Sequence, residues 1–232
     1  MSDDRSTDGS DTARETAKRR AAESAVAAVS DGMVVGLGTG STAAHAIRAL
    51  GQRVDRGLDI RGIPTSHQSR ALAHEVGIPL TTLAEATPTI AIDGADQVAG
   101  TALIKGGGAA HAREKVVDTA AEQFLVVVDH TKERTVLDGP VPVEVMPDAH
   151  TTVAAAVRDA GGDPTLRQAT RKDGPVVTDN GNLVLDCAFG EIDSPAALAS
   201  TLDAIPGVVA HGLFVDVTDE IHVGTPEGVE IR

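Results

Sequence analysis

The chain has 232 residues, with 34 Asp and Glu against 20 Lys and Arg and a formal net charge of −14, a balance that repels nucleic acid and other polyanions. Its single cysteine, Cys187, excludes an internal disulfide and points to a reducing cytoplasm, and no apolar run approaches the roughly 20 residues that span a bilayer. The N-terminus is polar rather than signal-like, lysine is scarce, and Phe124, Phe189 and Phe214 are the only aromatics, so a soluble, untargeted protein from a halophilic source is expected, its acidic surface screened by salt.

Residues 1–12, rich in Ser and Asp, read as a disordered lead-in. A helical pattern follows over 13–29, with Ala17, Ala21, Val26 and Val29 apolar. Next come a strand at 33–36, a glycine-rich turn, a helix at 41–50, a strand at 60–63, a helix at 68–76 and strands at 90–92 and 103–105. A helix at 109–122 and a strand at 124–128 complete the series. Short apolar strands interleaved with helices predict an α/β fold: an open, mostly parallel, Rossmann-like sheet with helices on both faces.

Three prolines and the alternation Val141, Val143, Val145 change the texture between 138 and 147. Beyond lie a helix at 152–160, strands at 176–178 and 183–186 around the turn Asp179-Asn180-Gly181-Asn182, and a helix at 195–204. These predict a second, smaller α+β (ferredoxin-like) domain over 140–212. Strands at 213–217 and 220–223 return to the first domain, which is expected to comprise 13–139 and 213–232.

Three segments carry chemistry. Gly36-Leu37-Gly38-Thr39-Gly40-Ser41-Thr42 joins a strand to a helix, where glycines admit a ligand and the helix's free amides attract an anion such as phosphate. A dinucleotide is disfavoured: Ser41 stands where G-x-G-x-x-G needs its last glycine, and the next strand ends in Pro64-Thr65-Ser66 rather than an acid. Asp93-Gly94-Ala95-Asp96 delivers two carboxylates to the C-terminal end of a strand, although both would equally suit turn caps. In Lys105-Gly106-Gly107-Gly108-Ala109-Ala110-His111-Ala112-Arg113-Glu114-Lys115, three glycines clear a volume against the backbone. Lys105 sits at its lip and Glu114 lies about one and a half turns into the helix. On the residues alone, Glu114 and Lys115 also fit a solvated helix face.

Together these segments resemble type A ribose-5-phosphate isomerases, whose recurring runs are GTGST, DGAD and KGGGAAxxREK. Pro142-Val143-Glu144-Val145, Val177 to Asn182 and Gly224 to Val229 match as well, and the likeness runs from about Lys18 onward. The resemblance implies interconversion of ribose 5-phosphate and ribulose 5-phosphate through an enediolate, in the non-oxidative branch of the pentose phosphate pathway. It assigns Glu114 as general base, Lys105 to the oxyanion, and Asp93 and Asp96 to ring opening and substrate hydroxyls. Lys18, Gly38, Thr39, Gly40, Ser41 and Thr42 would hold the phosphate end, Gly94, Ala95, Gly106, Gly107 and Gly108 would line the sugar, and Asp129 and Lys132 would form a further pair. Four of the five lysines fall on such positions. The resemblance further implies no cofactor, no metal and a homodimer or homotetramer built through the smaller domain. His111 reads as structural, and Ser66 and Ser69 as suggestive of substrate contact. A noncatalytic sugar-phosphate-sensing domain is the rival reading, and it would have no need of Glu114.

Overall fold

The computed structural model describes the chain from residue 6, and its side chains from residue 11. In chain order the elements are α1 (Ser6–Val26), β1 (Val34–Leu37), α2 (Ser41–Val54), β2 (Arg61–Pro64), α3 (His67–Glu75), β3 (Ile90–Asp93), β4 (Gln97–Ala99), β5 (Ala102–Ile104), α4 (His111–Ala120) and β6 (Gln123–Asp129). There follow β7 (Val141–Val145), α5 (His150–Asp159), β8 (Asp163–Leu166), β9 (Leu183–Ala188), α6 (Pro195–Asp203), β10 (Val208–His211), β11 (Leu213–Val215), β12 (Glu220–Gly224) and β13 (Val229–Ile231). Of the lead-in expected over 1–12, residues 1–5 lie outside the described residues, and α1 begins at Ser6.

The chain divides into two compact units. The first holds the residues up to Gly94, Val117–Lys132 and Thr218–Arg232; the second holds Ala95–Val116 and Glu133–Val217. In the first, the strands form one sheet in the order β13-β12-β6-β3-β1-β2, parallel except for the edge strand β13. Its strands read as continuous apolar runs because both faces are covered. Val35 and Leu37 pack with Ala21, Ala25, Ile47, Leu50 and Leu72 from α1, α2 and α3, whereas Val34 and Ile63 meet Val117 of α4. Gly36 is small of necessity, since a Cβ there would stand 2.8 Å from the Ala91 Cβ and 2.9 Å from Val117 Cγ1.

In the second unit, β7-α5-β8-β9-α6-β10 folds as an antiparallel sheet in the order β10-β7-β9-β8, the split β-α-β arrangement of ferredoxin-like folds. Its core is aliphatic: Val141, Val143, Val145, Val153, Val157, Leu185 and Leu202 are all 2 % exposed or less. One departure from the sequence reading concerns β5, expected in the parallel sheet. Gly100, at φ +59°, closes a tight turn after β4, so β5 pairs antiparallel with β4 and with β11 in a separate three-stranded sheet. Among the described residues, no helix is long and apolar enough to cross a membrane.

Candidate active site

The first unit's sheet reverses its strand order between β1 and β3, and open α/β sheets bind ligands at the carboxyl ends of the strands where the order switches. The segments Gly38 to Thr42 and Asp93-Gly94 emerge there. The Gly38 amide donates to Ile92 O at 3.0 Å, laying the end of β1 on the end of β3. Asp93, fully buried, accepts the Thr39 amide at 2.9 Å and the Gly94 amide at 2.7 Å on Oδ1, so this carboxylate clasps the turn. Gly40, at φ +110°, opens α2 without a side chain to cap it, leaving the first turn of the helix to attract an anion. Ser41 is exposed and Thr42 is buried in that turn.

Thr39 Oγ1 lies 2.7 Å from both Thr65 Oγ1 and Ser66 Oγ, and Ser66 caps α3 in a reciprocal box with Ser69. The loop after β2 is therefore hydrogen-bonded to the turn after β1. Lys18, mostly buried, donates to Glu15 Oε1 at 2.6 Å, while Glu15 Oε2 meets His45 Nε2 at 3.1 Å, which ties α1 to α2. Hydrogen bonds from Lys18 and then His45 hold the Glu15 carboxyl below its ordinary range. Asp129, at the end of β6 and fully buried, accepts the Thr131 amide at 3.0 Å and pairs with Arg14 Nε at 3.3 Å. Burial pushes its carboxyl up, but Thr131 and Arg14 outweigh that and hold it below the usual carboxylate range. Among the described residues these, rather than Lys132, are the groups that hold Asp129; Lys132 ends a short 3-10 turn, half-buried.

The second unit brings together Lys105, Glu114, Asp96 and the glycine triplet. Lys105 follows β5 and Glu114 lies in the first turn of α4, and Nζ stands 3.5 Å from Oε2 with the two residues 2 % and 3 % exposed. Glu114 is therefore no solvated helix face. Gly106, at φ +101°, turns the chain sharply; its carbonyl accepts the Ala109 amide at 2.9 Å, and Ala109 completes the turn at φ +58°. Gly107 and Gly108 are exposed, and the Gly107 amide donates to Asp96 Oδ2 at 2.7 Å. A Cβ on Gly107 would stand 2.7 Å from Asp96 Oδ1. Ala95 is half-buried just before the Asp96 amide, which donates to Ile104 O at 2.7 Å.

Four supporting residues escape the sequence reading. Gly212 approaches Lys105 so closely that a Cβ would stand 2.2 Å from the Lys105 carbonyl oxygen. The Phe214 ring faces two ammonium groups, Lys105 Nζ at 5.4 Å and Lys115 Nζ at 5.1 Å. Arg167 and Asp186 bind one another, and Arg167 reaches the glycine turn. None carries a local motif; only Gly212, a glycine wedged between two apolar runs, offers a signal of close backbone approach. His111, fully buried, is pushed down to about 3 by burial and by the charges of Arg167 and Lys115, so it stays neutral at ordinary pH. Among the described residues, no group of three or more His, Cys, Asp and Glu side chains could hold a metal ion.

The family described as Ribose 5-phosphate isomerase A (phosphoriboisomerase A) matches residues 61–228. The chain belongs to the ribose 5-phosphate isomerase A family. It is 70 % identical over 218 residues to ribose-5-phosphate isomerase A of Natronomonas pharaonis, covering 94 % of this chain and 97 % of that one. The Haloarcula marismortui ribose-5-phosphate isomerase A is 66 % identical, covering 94 % and 96 %. Among solved structures, ribose 5-phosphate isomerase A of Methanocaldococcus jannaschii superposes with a TM-score of 0.91 at 47 % identity, over 94 % of this chain and 98 % of the other. A D-ribose-5-phosphate isomerase in complex with phospho-erythronic acid gives 0.92 at 42 % identity, with the same coverage. The α/β fold with its smaller antiparallel sheets is thus that of the ribose 5-phosphate isomerase A family.

Proposed function

We propose that the protein interconverts ribose 5-phosphate and ribulose 5-phosphate by moving one proton between C1 and C2 of the open-chain sugar, with Glu114 as the base. The observation that supports this most is the buried Lys105–Glu114 pair beside the glycine turn. Abstraction beside a carbonyl needs a base and, at the neighbouring oxygen, a group that stabilises negative charge as it develops. In the aldose-to-ketose direction the Glu114 carboxylate takes the C2 hydrogen, the electron pair forms the C1–C2 double bond, and O1 becomes the oxyanion facing Lys105. The same carboxylate returns the proton to C1, and the O2 proton passes to O1 as the C2 carbonyl forms. Taken and returned on one face, the proton needs one base.

The phosphate is assigned to Gly38, Thr39, Gly40, Ser41 and Thr42, where helix amides and hydroxyls converge, with Lys18 adding positive charge. Asp93 and Asp96 are assigned to ring opening and the sugar hydroxyls, Gly94, Ala95 and the glycine triplet to the sugar's flank, and Asp129 and Lys132 to the substrate's periphery. The related isomerase that holds phospho-erythronic acid supports this reading, because an aldonic acid phosphate presents a planar anion like that of an enediolate. A cytoplasmic dimer or tetramer is also proposed; Met146, Val177 and Val209, 47–54 % exposed within residues 140–212, are apolar side chains that assembly through the smaller domain would cover.

Turnover of ribose 5-phosphate by Glu114→Gln tests the assignment. Loss of about 10²–10⁴ in kcat is expected, with exchange of the C2 hydrogen in D2O abolished. A near wild-type rate removes Glu114 from its role.

A further inference from the structure

The glycine turn is held from outside by one side chain. Arg167 follows β8 opposite Val184, two residues beyond Thr165, the partner of Asp186, so it shares a sheet face with Asp186: Arg167 Nε donates to Asp186 Oδ2 at 2.8 Å, and Nη2 pairs with Oδ1. The remaining terminal nitrogen, Nη1, donates to the carbonyls of Gly106 at 2.9 Å and Gly107 at 3.1 Å. The Arg167 side chain is only 16 % exposed, and the residue's backbone is hydrogen-bonded through Val184 O and Val176 N, each at 2.9 Å.

We infer that Arg167, anchored by Asp186, is a positioning residue for catalysis, fixing the peptide planes of the Gly106-Gly107-Gly108 turn between Lys105 and Glu114. The peptide joining Gly106 to Gly107 is trans and is gripped at both ends: its carbonyl by Arg167, and its amide by Asp96 Oδ2 at 2.7 Å. Rotating that plane would bring the carbonyl oxygen against the Asp96 carboxylate and the N–H against the guanidinium, unfavourable on both sides. The next peptide has its carbonyl on Arg167, so its N–H, that of Gly108, points away from the guanidinium. Three glycines without side chains have little of their own to fix these planes. A carbonyl turned toward a developing oxyanion would oppose the reaction, whereas an amide would favour it. The Arg167 fork thus sets the polarity of the turn and, through Gly107, the place of Asp96. Lysine cannot substitute, because a point ammonium cannot grip a carboxylate with one edge and two carbonyls with the other.

The inference rests on the assignment of Lys105 and Glu114 above, and steady-state kinetics with ribose 5-phosphate test the two separately. Arg167→Ala is expected to lower kcat about 10²-fold, the scale of a small misplacement of reacting groups, with KM within about threefold of wild type. Arg167→Lys should remain impaired, millimolar ethylguanidinium should restore part of the Arg167→Ala rate, and Asp186→Asn, which leaves the arginine in place, should lose kcat in the same sense. Should Arg167→Ala not fold, Asp186→Asn and Arg167→Lys carry the test. A kcat within about twofold of wild type in the folded variants, or a loss carried wholly by KM, overturns the inference. If Glu114→Gln turns over normally while Arg167→Ala is slow, the base assignment falls and the clamp stands; an inactive Glu114→Gln beside an unimpaired Arg167→Ala sinks the clamp alone.

Discussion

Gly38 sits so close to Asp93 that a Cβ there would stand 2.2 Å from Asp93 Oδ1 and 2.6 Å from its Cα. The second distance matters more, because a carboxylate can rotate away and a backbone carbon cannot. This glycine is therefore required by the contact between the ends of β1 and β3 rather than by its own backbone angle. Gly38→Ala should force the two turns apart and displace the Thr39 amide from Asp93. Overpacking of this kind costs about 1–3 kcal/mol, or roughly 2–12 °C in Tm for a chain of this size. Kinetics should show KM for ribose 5-phosphate rising, since the turn to which the phosphate is assigned above moves. A variant with wild-type KM and Tm would contradict the packing argument.

On the acid side, stability should fall before any carboxylate titrates. His111 is pushed down to about 3 by burial and the charges of Arg167 and Lys115, and His211 to about 4 by burial and Lys115, against an ordinary 6.5. Between the folded values and 6.5 the unfolded chain binds protons that the native state refuses, so stability is lost as pH falls through that window. With both imidazoles titrating in the unfolded chain the slope approaches about 2.7 kcal/mol per pH unit, and His222, which burial also holds below its ordinary value, adds in the same sense. Urea unfolding from pH 6.5 to 4.5 reads it, and His211→Asn, which keeps an acceptor for the Leu213 amide now 3.2 Å from Nδ1, should reduce the slope by up to about 1.4 kcal/mol per pH unit. A flat profile would show that these imidazoles take up protons in the native protein.

What the sequence made legible follows from how locally each feature is encoded. The strands Val34–Leu37, Ile90–Asp93 and Gln123–Asp129 are buried almost throughout, so they stand out as apolar runs between helical patterns. Lys105 and Glu114 were legible because a glycine triplet and the first helical turn fix both within ten residues. Asp163–Leu166 was hidden by Pro164, which a strand tolerates here because β8 is the sheet's edge. Gln97–Ala99 is too short to show a period. Arg167, Asp186 and Phe214 belong to the turn only through sheet register: Arg167 lies 61 residues from the Gly106 carbonyl it binds. No local pattern encodes such a pairing.

The acidic surface should make stability depend on salt. A net charge of −14 repels itself in dilute buffer, and screening shortens from about 10 Å at 0.1 M to about 3 Å at 1 M salt. Raising KCl from 0.1 M to molar levels is expected to raise Tm by on the order of 5 °C or more, equivalent to a few kcal/mol. Differential scanning calorimetry in KCl decides it, and a Tm that stays level or falls would argue against a fold adapted to concentrated salt.

Alkaline pH offers a separate handle on the Phe214 cluster. The Lys115 ammonium donates to Leu213 O at 3.0 Å, and burial, opposed in part by the Asp203 charge, holds it down to about 8 against an ordinary 10.5. The unfolded chain keeps that proton to higher pH, so above 8 it binds more protons than the native state and stability rises with pH. Cys187 acts in the opposite sense: burial and Asp186 push its thiol up from 9.0 to about 12, so above pH 9 the unfolded chain loses that proton first. The window that isolates Lys115 is therefore pH 8 to 9, where the gain is at most about 1 kcal/mol. Urea unfolding at the two pH values should show that rise in the wild type and none in Lys115→Met, whatever the variant's overall stability. A wild type whose stability does not change over the window would mean that Lys115 titrates as it does in water, and that the cluster around Phe214 is wetter than its packing implies.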